Sequence, residues 1–216
     1  MSKSKSKPAR PERDRRGWWA RYRTRLHALG YIAALVAALP RWPQLWWGLP
    51  LVALGLGIRT WALGYLTKDA ALCTAGPYAY TRNPLYLGSL FILLGVCVAA
   101  NNVVLTAVAV IASACVYIFT VRSEENVLLG LFGEDYAAYR RSVPRLVPRP
   151  WHQRAVCPAQ FSWERALGSN APELAAWVVL LFLLLAAKAL FFEHYHWWLY
   201  RPTLPRVTGG VWWWGL

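Results

Sequence analysis

Two polar clusters, about forty residues apart, carry most of the candidate chemistry in this chain. The first is Gly76-Pro77-Tyr78-Ala79-Tyr80-Thr81-Arg82-Asn83-Pro84-Leu85-Tyr86, and the second is Arg122-Ser123-Glu124-Glu125. Asn is a favoured N-cap and Pro a favoured first helical residue, so Asn83-Pro84 predicts a helix beginning at Pro84. The positive end of that helix attracts anions such as a ligand carboxylate, and Arg82 adds a cation beside it. Tyr78, Tyr80 and Tyr86 offer faces for a flat ring, and Gly76 and Gly88 permit close backbone approach. In the second cluster one carboxylate suits a cationic ligand group, and Arg122 suits a substrate carboxylate. Together the clusters fit a zwitterionic, aromatic, positively charged small molecule, of which S-adenosylmethionine is one. An ordinary capped membrane helix ending in solvated carboxylates would use the same residues, and the spacing leaves both readings open.

Elements able to bring the clusters together are visible between them. From Asn83 to Val121 there is no Asp, Glu, Lys or Arg. A crossing needs about 20 apolar residues, so this block can cross a bilayer, turn at Asn101-Asn102 and cross back. Such a hairpin returns both clusters to one membrane face. Further apolar runs cover 26–40, 45–66 and 174–192, the second interrupted by Arg59 and the last carrying Lys188 near its end. The prediction is an all-α, multi-pass membrane bundle of about five transmembrane helices with a cytoplasmic cofactor pocket. Its parts are a basic tail (1–25), a membrane core (26–150), a cytoplasmic connector (151–172) and a last span with an aromatic tail (173–216). Arg59, a costly charge inside a span, either marks the cytoplasmic interface or pairs with Glu124 or Glu125 in the pocket. Lys188 lies close enough to its helix end to snorkel. Residues 132–141 read as an interfacial helix after a break at Gly133, either a structural lid or one that closes over the cofactor.

Composition supports a membrane domain. The 216 residues are 57% hydrophobic and only 16% charged, with fourteen tryptophans, against about 25% charged in ordinary soluble domains. The net charge of +14 is concentrated before the first apolar run and after Glu125. That placement suits the positive-inside rule and anionic headgroups, not nucleic acid. It puts the N-terminus in the cytoplasm and, with five crossings, the C-terminus on the opposite side. The four cysteines lack paired spacing and read as packing residues, and the histidines are too scattered for a zinc site, so no metal site is expected.

The first cluster, continued through Leu87-Gly88, resembles the signature of the isoprenylcysteine carboxyl methyltransferase family. So does Glu124-Glu125 followed by Leu131-Phe132-Gly133-Glu134-Asp135-Tyr136, Tyr139, Val143-Pro144 and Pro148. The related phospholipid methyltransferases share the general pattern. The resemblance covers roughly residues 59–148. It implies an integral-membrane enzyme that moves a methyl group from S-adenosylmethionine to a lipophilic or lipidated substrate, in a pocket open to cytosol and bilayer. Carried over by position, the cofactor would contact Ala70, Ala71, Leu72 and Cys73, then Tyr78, Asn83, Pro84, Leu85 and Tyr86, and finally Glu124. The chain departs from the eukaryotic pattern at Asn83, where His is usual, and near Thr120, where an Arg proposed to hold the substrate carboxylate would fall. Arg122, half a turn away, is the candidate substitute, and it and Arg59 are the expected catalytic cations.

The sulfonium is already a good leaving group, so the reaction needs chiefly positioning and exclusion of water. A carboxylate nucleophile needs no base, whereas an amine must first be deprotonated. No histidine stands in either cluster, which favours the carboxylate. Two rival readings remain: a phospholipid amine N-methyltransferase, and a non-catalytic scaffold or transporter subunit built on the same helices.

Overall fold

The structure is a computed structural model that describes residues 32–33, 35–66, 72–149 and 160–199. Among these residues it is all-helical. Helix α1 is Trp42–Tyr65, a 3₁₀ turn follows at Gly76–Ala79, α2 is Pro84–Ala100, α3 is Val103–Ser142, α4 is Trp163–Leu167 and α5 is Ala171–Leu199. Four of the five predicted apolar runs therefore lie within helices; of the run at 26–40, residues 32–33 and 35–40 are described, with helix at 32–33 and 35–37. Two helices are long and apolar enough to cross a membrane, α3 and α5 (Ala171–His194 of the latter), and α2 is a shorter apolar helix. None of the most apolar stretch of α3 is buried inside the protein.

Helix α1 begins where Trp42-Pro43 breaks the preceding run, with proline in its first turn. It makes the most extensive helix–helix contact of the molecule, against α2. The cause is a pair of glycines on each helix, seven residues apart. A Cβ on Gly48 would lie 2.5 Å from the Gly95 carbonyl oxygen, and one on Gly55 the same distance from that of Gly88. The pairing is antiparallel, and at these points the backbones meet with no side chain between them, as small residues permit in membrane helix pairs. Away from the glycines, Leu45, Val52, Ile92, Val96 and Ala99 join Val178, Leu181, Phe182 and Leu185 of α5 in one buried cluster.

The α2–α3 hairpin turns where Asn101-Asn102 predicts it. Asn101 takes the left-handed conformation (φ 50°), which Asn tolerates better than most residues. Asn102 caps α3, its Oδ1 accepting from the Leu105 amide at 3.0 Å. Both carboxamides also donate across to the chain before α1, Asn101 to the Leu39 carbonyl at 3.1 Å and Asn102 to that of Ala37 at 2.8 Å. Lys188 joins the same junction. Its ammonium donates to the Leu35 and Val36 carbonyls at 2.8 and 2.9 Å and lies 5.5 Å from the Phe192 ring centre. The predicted reach of Lys188 toward the helix end thus finds backbone carbonyls of the chain before α1.

Helix α3 is two helices. Gly133 breaks it with φ 54° and ψ −124°, in the place where the sequence predicts a break. The short second segment packs Tyr136 and Tyr139 with Val143, against Leu72, Leu128 and Phe132. At the end of α1, Phe161 lies against Gly64, where any Cβ would strike its ring, and meets Tyr65 and Trp163 edge-on or tilted.

Candidate functional site

Both predicted clusters come to the same end of the hairpin. The Tyr86 hydroxyl, one turn into α2, donates to Glu124 Oε1 at 2.8 Å. The Tyr86 ring also meets Tyr117 of α3 edge-to-face, with centroids 5.1 Å apart. A span of 38 residues along the chain is thus closed by one charge-assisted hydrogen bond, the stronger kind.

Tyr78 sits beside this pair on the 3₁₀ turn. It is buried within a cluster of Ala62 and Cys73, with Tyr65, Leu66 and Leu85 around it. Its backbone carbonyl accepts from the Tyr139 hydroxyl at 2.7 Å, which fixes the turn to the segment after Gly133. Its own hydroxyl is buried with no hydrogen-bond partner among the described residues. Burial is the main cause that raises the pKa of that hydroxyl; Cys73 and Glu124 push the same way and Arg59 opposes them. The hydroxyl therefore stays protonated, within electrostatic reach of one carboxylate and one guanidinium. A buried hydroxyl without a partner carries a desolvation cost of about 1–3 kcal/mol, which a ligand able to accept or donate there would remove.

Arg59 reaches from α1 to the first turns of α2, donating from Nη1 to the Leu85 carbonyl at 3.2 Å and to Ser89 Oγ at 2.5 Å. Ser89 in turn donates to the same carbonyl at 2.9 Å. These two hydrogen bonds tie Arg59 to α2. Gly88 makes room for it: a Cβ there would lie 2.7 Å from Arg59 Cγ. The close approach at Gly88 is made by a neighbouring helix and its arginine.

The second carboxylate has a different role. Glu125 is buried and accepts a fork from Arg145, Nε to Oε1 at 3.1 Å and Nη2 to Oε2 at 2.7 Å. Arg82 lies 3.5 Å from the same Oε1. Hydrogen bonding to Glu125 raises the Arg145 pKa further above its usual value. The chain after α3 is strapped to the loop before α2: the Arg145 carbonyl accepts from Thr81 Oγ1 at 3.1 Å and from Asn83 Nδ2 at 3.0 Å, and the Pro144 carbonyl accepts from the Arg82 amide at 2.9 Å. Asn83 does occupy the N-cap position and Pro84 the first turn, but the Asn83 side chain makes no capping bond. Its carboxamide is drawn to the Arg145 carbonyl instead. Sequence reasoning missed Arg145 and Ser89; Arg145 carries a signal only in standing within the Val-Pro-rich stretch after the second cluster.

Of the other predicted residues, Leu72 packs against the Tyr136–Tyr139 cluster, and Cys73 Sγ donates to the Tyr65 carbonyl at 3.4 Å. Pro84 is fully buried and Leu85 packs on Tyr78. Ala70 and Ala71 lie outside the described residues. Arg122 is exposed; two residues from Glu124, it projects about 200° away round the helix.

Beside these polar residues lies a small open cleft of about 100 Å³, lined by Asn83, Tyr86, Tyr117, Ile118, Val121, Arg145 and Leu146. Tyr86 belongs to both, its hydroxyl on Glu124 and its ring on the cleft.

The model of the phospholipid methyltransferase family matches residues 43–135. The cobalt-zinc-cadmium resistance protein CzcN of Cupriavidus metallidurans is 34% identical over 127 residues, 55% of this chain and 58% of that protein. The nickel-cobalt-cadmium resistance protein NccN of Alcaligenes xylosoxydans xylosoxydans is 30% identical over 127 residues, 55% and 59% of the two chains. The protein-S-isoprenylcysteine O-methyltransferase of Schizosaccharomyces pombe is 35% identical over 81 residues, 38% of this chain and 34% of that enzyme. The match thus spans under three fifths of the length of each of these relatives. No solved structure matches the chain. Residues 43–135, which hold Arg59, Tyr78, Asn83, Tyr86 and Glu124, match the phospholipid methyltransferase family model, and part of the chain is similar to an isoprenylcysteine methyltransferase, a likeness of the kind the two polar clusters lead one to expect.

Proposed function

We propose that this protein is a multi-pass membrane methyltransferase that uses S-adenosylmethionine to methylate a carboxylate on a lipophilic, isoprenylcysteine-like acceptor. The observation that carries the reading is the Tyr86–Glu124 hydrogen bond at 2.8 Å, made beside the buried and unpartnered Tyr78 hydroxyl. This arrangement fits a zwitterionic nucleoside: Glu124 offers a negative charge to an ammonium, Arg59 a positive charge to a carboxylate, and Tyr78 a hydroxyl to either. Tyr86 holds Glu124 in place, and the strap from Pro144 to Arg149 fixes the loop that carries Tyr78. When bound between Glu124, Arg59 and Tyr78, the cofactor would supply a methyl group carried on a sulfonium, a good leaving group, for transfer to the acceptor oxygen. That step has no proton to move, and no histidine lines the pocket among the described residues. The description of the family model favours a second reading, a phospholipid amine as acceptor, which would require such a base.

The five-span topology belongs to the same proposal. Spans in α1, α2, the first segment of α3, α5 and the run at 26–40 place the pocket and the basic segments on the cytoplasmic side. Reporter cysteines at Ser6 and Gln153 should then label from the cytoplasm, and one after Val211 from the other side; labelling of Ser6 and Gln153 from opposite sides refutes it. The activity is tested by titration calorimetry of the detergent-solubilised protein with S-adenosylhomocysteine. Saturable binding that Glu124→Ala weakens is expected. Folded protein that takes up no ligand would point to the scaffold reading.

A further inference from the structure

We propose that the acceptor enters from the bilayer as an anionic amphiphile, its chain in the cleft between α2 and α3 and its negative group on Arg145, not on Arg122. The inference rests on the methyl-transfer reading above, and three observations carry it. The first is charge. Arg82 and Arg145 flank a single carboxylate, Glu125, so the cluster keeps one positive charge. Arg145 has turned only one edge of its guanidinium to Glu125, and its side chain is 43% exposed, leaving donors free to face the cleft that it lines. The second is incomplete pairing. Both Glu125 oxygens are taken by the Arg145 fork, and Arg82, with its side chain 8% exposed, is left with a longer ion-pair contact of 3.5 Å from Nη1 to Oε1 and a buried Nε without a hydrogen-bond acceptor. A guanidinium so buried and so poorly satisfied is a place where an additional anion is stabilising. The third is shape. Away from Arg145 and Asn83 the cleft wall is Tyr117, Ile118, Val121 and Leu146, and the adjoining face of α3 (Val108, Ile111, Phe119) is exposed and apolar, as a route from lipid must be. Tyr86 lines this cleft and hydrogen-bonds Glu124, so the cleft borders the residues proposed to hold the cofactor.

The test uses the full chain in phosphatidylcholine nanodiscs and a long-chain fatty acid with a photoreactive diazirine in its chain, compared with the primary amide of the same chain. The acid should label the peptide containing Tyr117, Ile118 and Val121 at least about tenfold more than the amide does, the size of one charge-assisted hydrogen bond. Arg145→Gln should reduce the acid to the level of the amide, and Arg122→Gln should leave it high. Equal labelling by acid and amide, or loss in Arg122→Gln alone, overturns the proposal. Should Arg145→Gln fail to fold, Ile118→Trp, at a half-exposed position, decides: it should block labelling, and undiminished labelling overturns the proposal. S-adenosylhomocysteine binding by the wild-type nanodiscs is measured separately. Its absence sinks the methyl-transfer reading, whereas its presence with no preference for the acid sinks only the cleft.

Discussion

Helix α2 packs on α1 and on α3 in opposite ways. Against α1 it packs backbone on backbone through Gly48, Gly55, Gly88 and Gly95, with carbonyls where side chains would stand. Against α3 it makes a far smaller contact, held by the Asn101-Asn102 turn at one end and by the Tyr86–Glu124 and Tyr86–Tyr117 contacts at the other, with an open cleft beside them. One interface is a fixed wall that sets where α2 lies. The other is a seam with few fastenings, and the candidate chemistry is gathered along it.

The sharpest way to break this contrast is to place a side chain in the wall. Gly55→Leu puts a Cβ 2.5 Å from a backbone oxygen that cannot move aside. The expected cost lies at or above the upper end of the about 1–3 kcal/mol usual for overpacking, read as a loss of monodisperse, thermally cooperative protein in detergent. Glu125→Ala should come next. It leaves the buried Arg82 guanidinium without a counter-charge, at about 3 kcal/mol, discounted for the exposed side of Arg145, and the thermal midpoint should fall accordingly. A midpoint unchanged in this variant would mean that the cluster does not fasten the strap. Tyr86→Phe removes one hydrogen bond to a carboxylate, so S-adenosylhomocysteine affinity should fall about tenfold while the fold persists; equal affinity would place Glu124 outside the pocket. Ile118→Trp should be the mildest for stability, within about 0.5 kcal/mol as for other exposed positions. A large loss of midpoint there would show that the seam is packed more tightly than its open cleft implies.

Much of this arrangement is legible in the sequence, for local reasons. An uncharged block with Asn-Asn at its middle has few ways to fold other than as a hairpin, and a hairpin must return its two ends together. Pro84 at the helix start and the break at Gly133 follow from backbone preferences of single residues. What is not legible depends on long-range choices. Glu124 and Glu125 are adjacent, about 100° apart on the helix, and nothing local says that the first meets Tyr86 while the second is buried under Arg145. The Asn83 side chain would cap its helix by preference, but the Arg145 carbonyl, 62 residues later, is a competing acceptor. Lys188 finds carbonyls at Leu35 and Val36 more than 150 residues away, a partner that no window along the chain reveals. The glycines of α1 gave no signal of their own, because their meaning lies in the opposing pair on α2.

The same glycine that lets the backbones touch also makes room for Arg59: Gly88 faces the Gly55 carbonyl and the Arg59 side chain together. Sliding α1 along α2 by one helical turn, about 5.4 Å, would carry the guanidinium past Ser89 and away from Tyr78. The dry contact therefore works as a gauge for the wet one, and the alignment of the Arg59 guanidinium is inherited from residues that have no functional group at all.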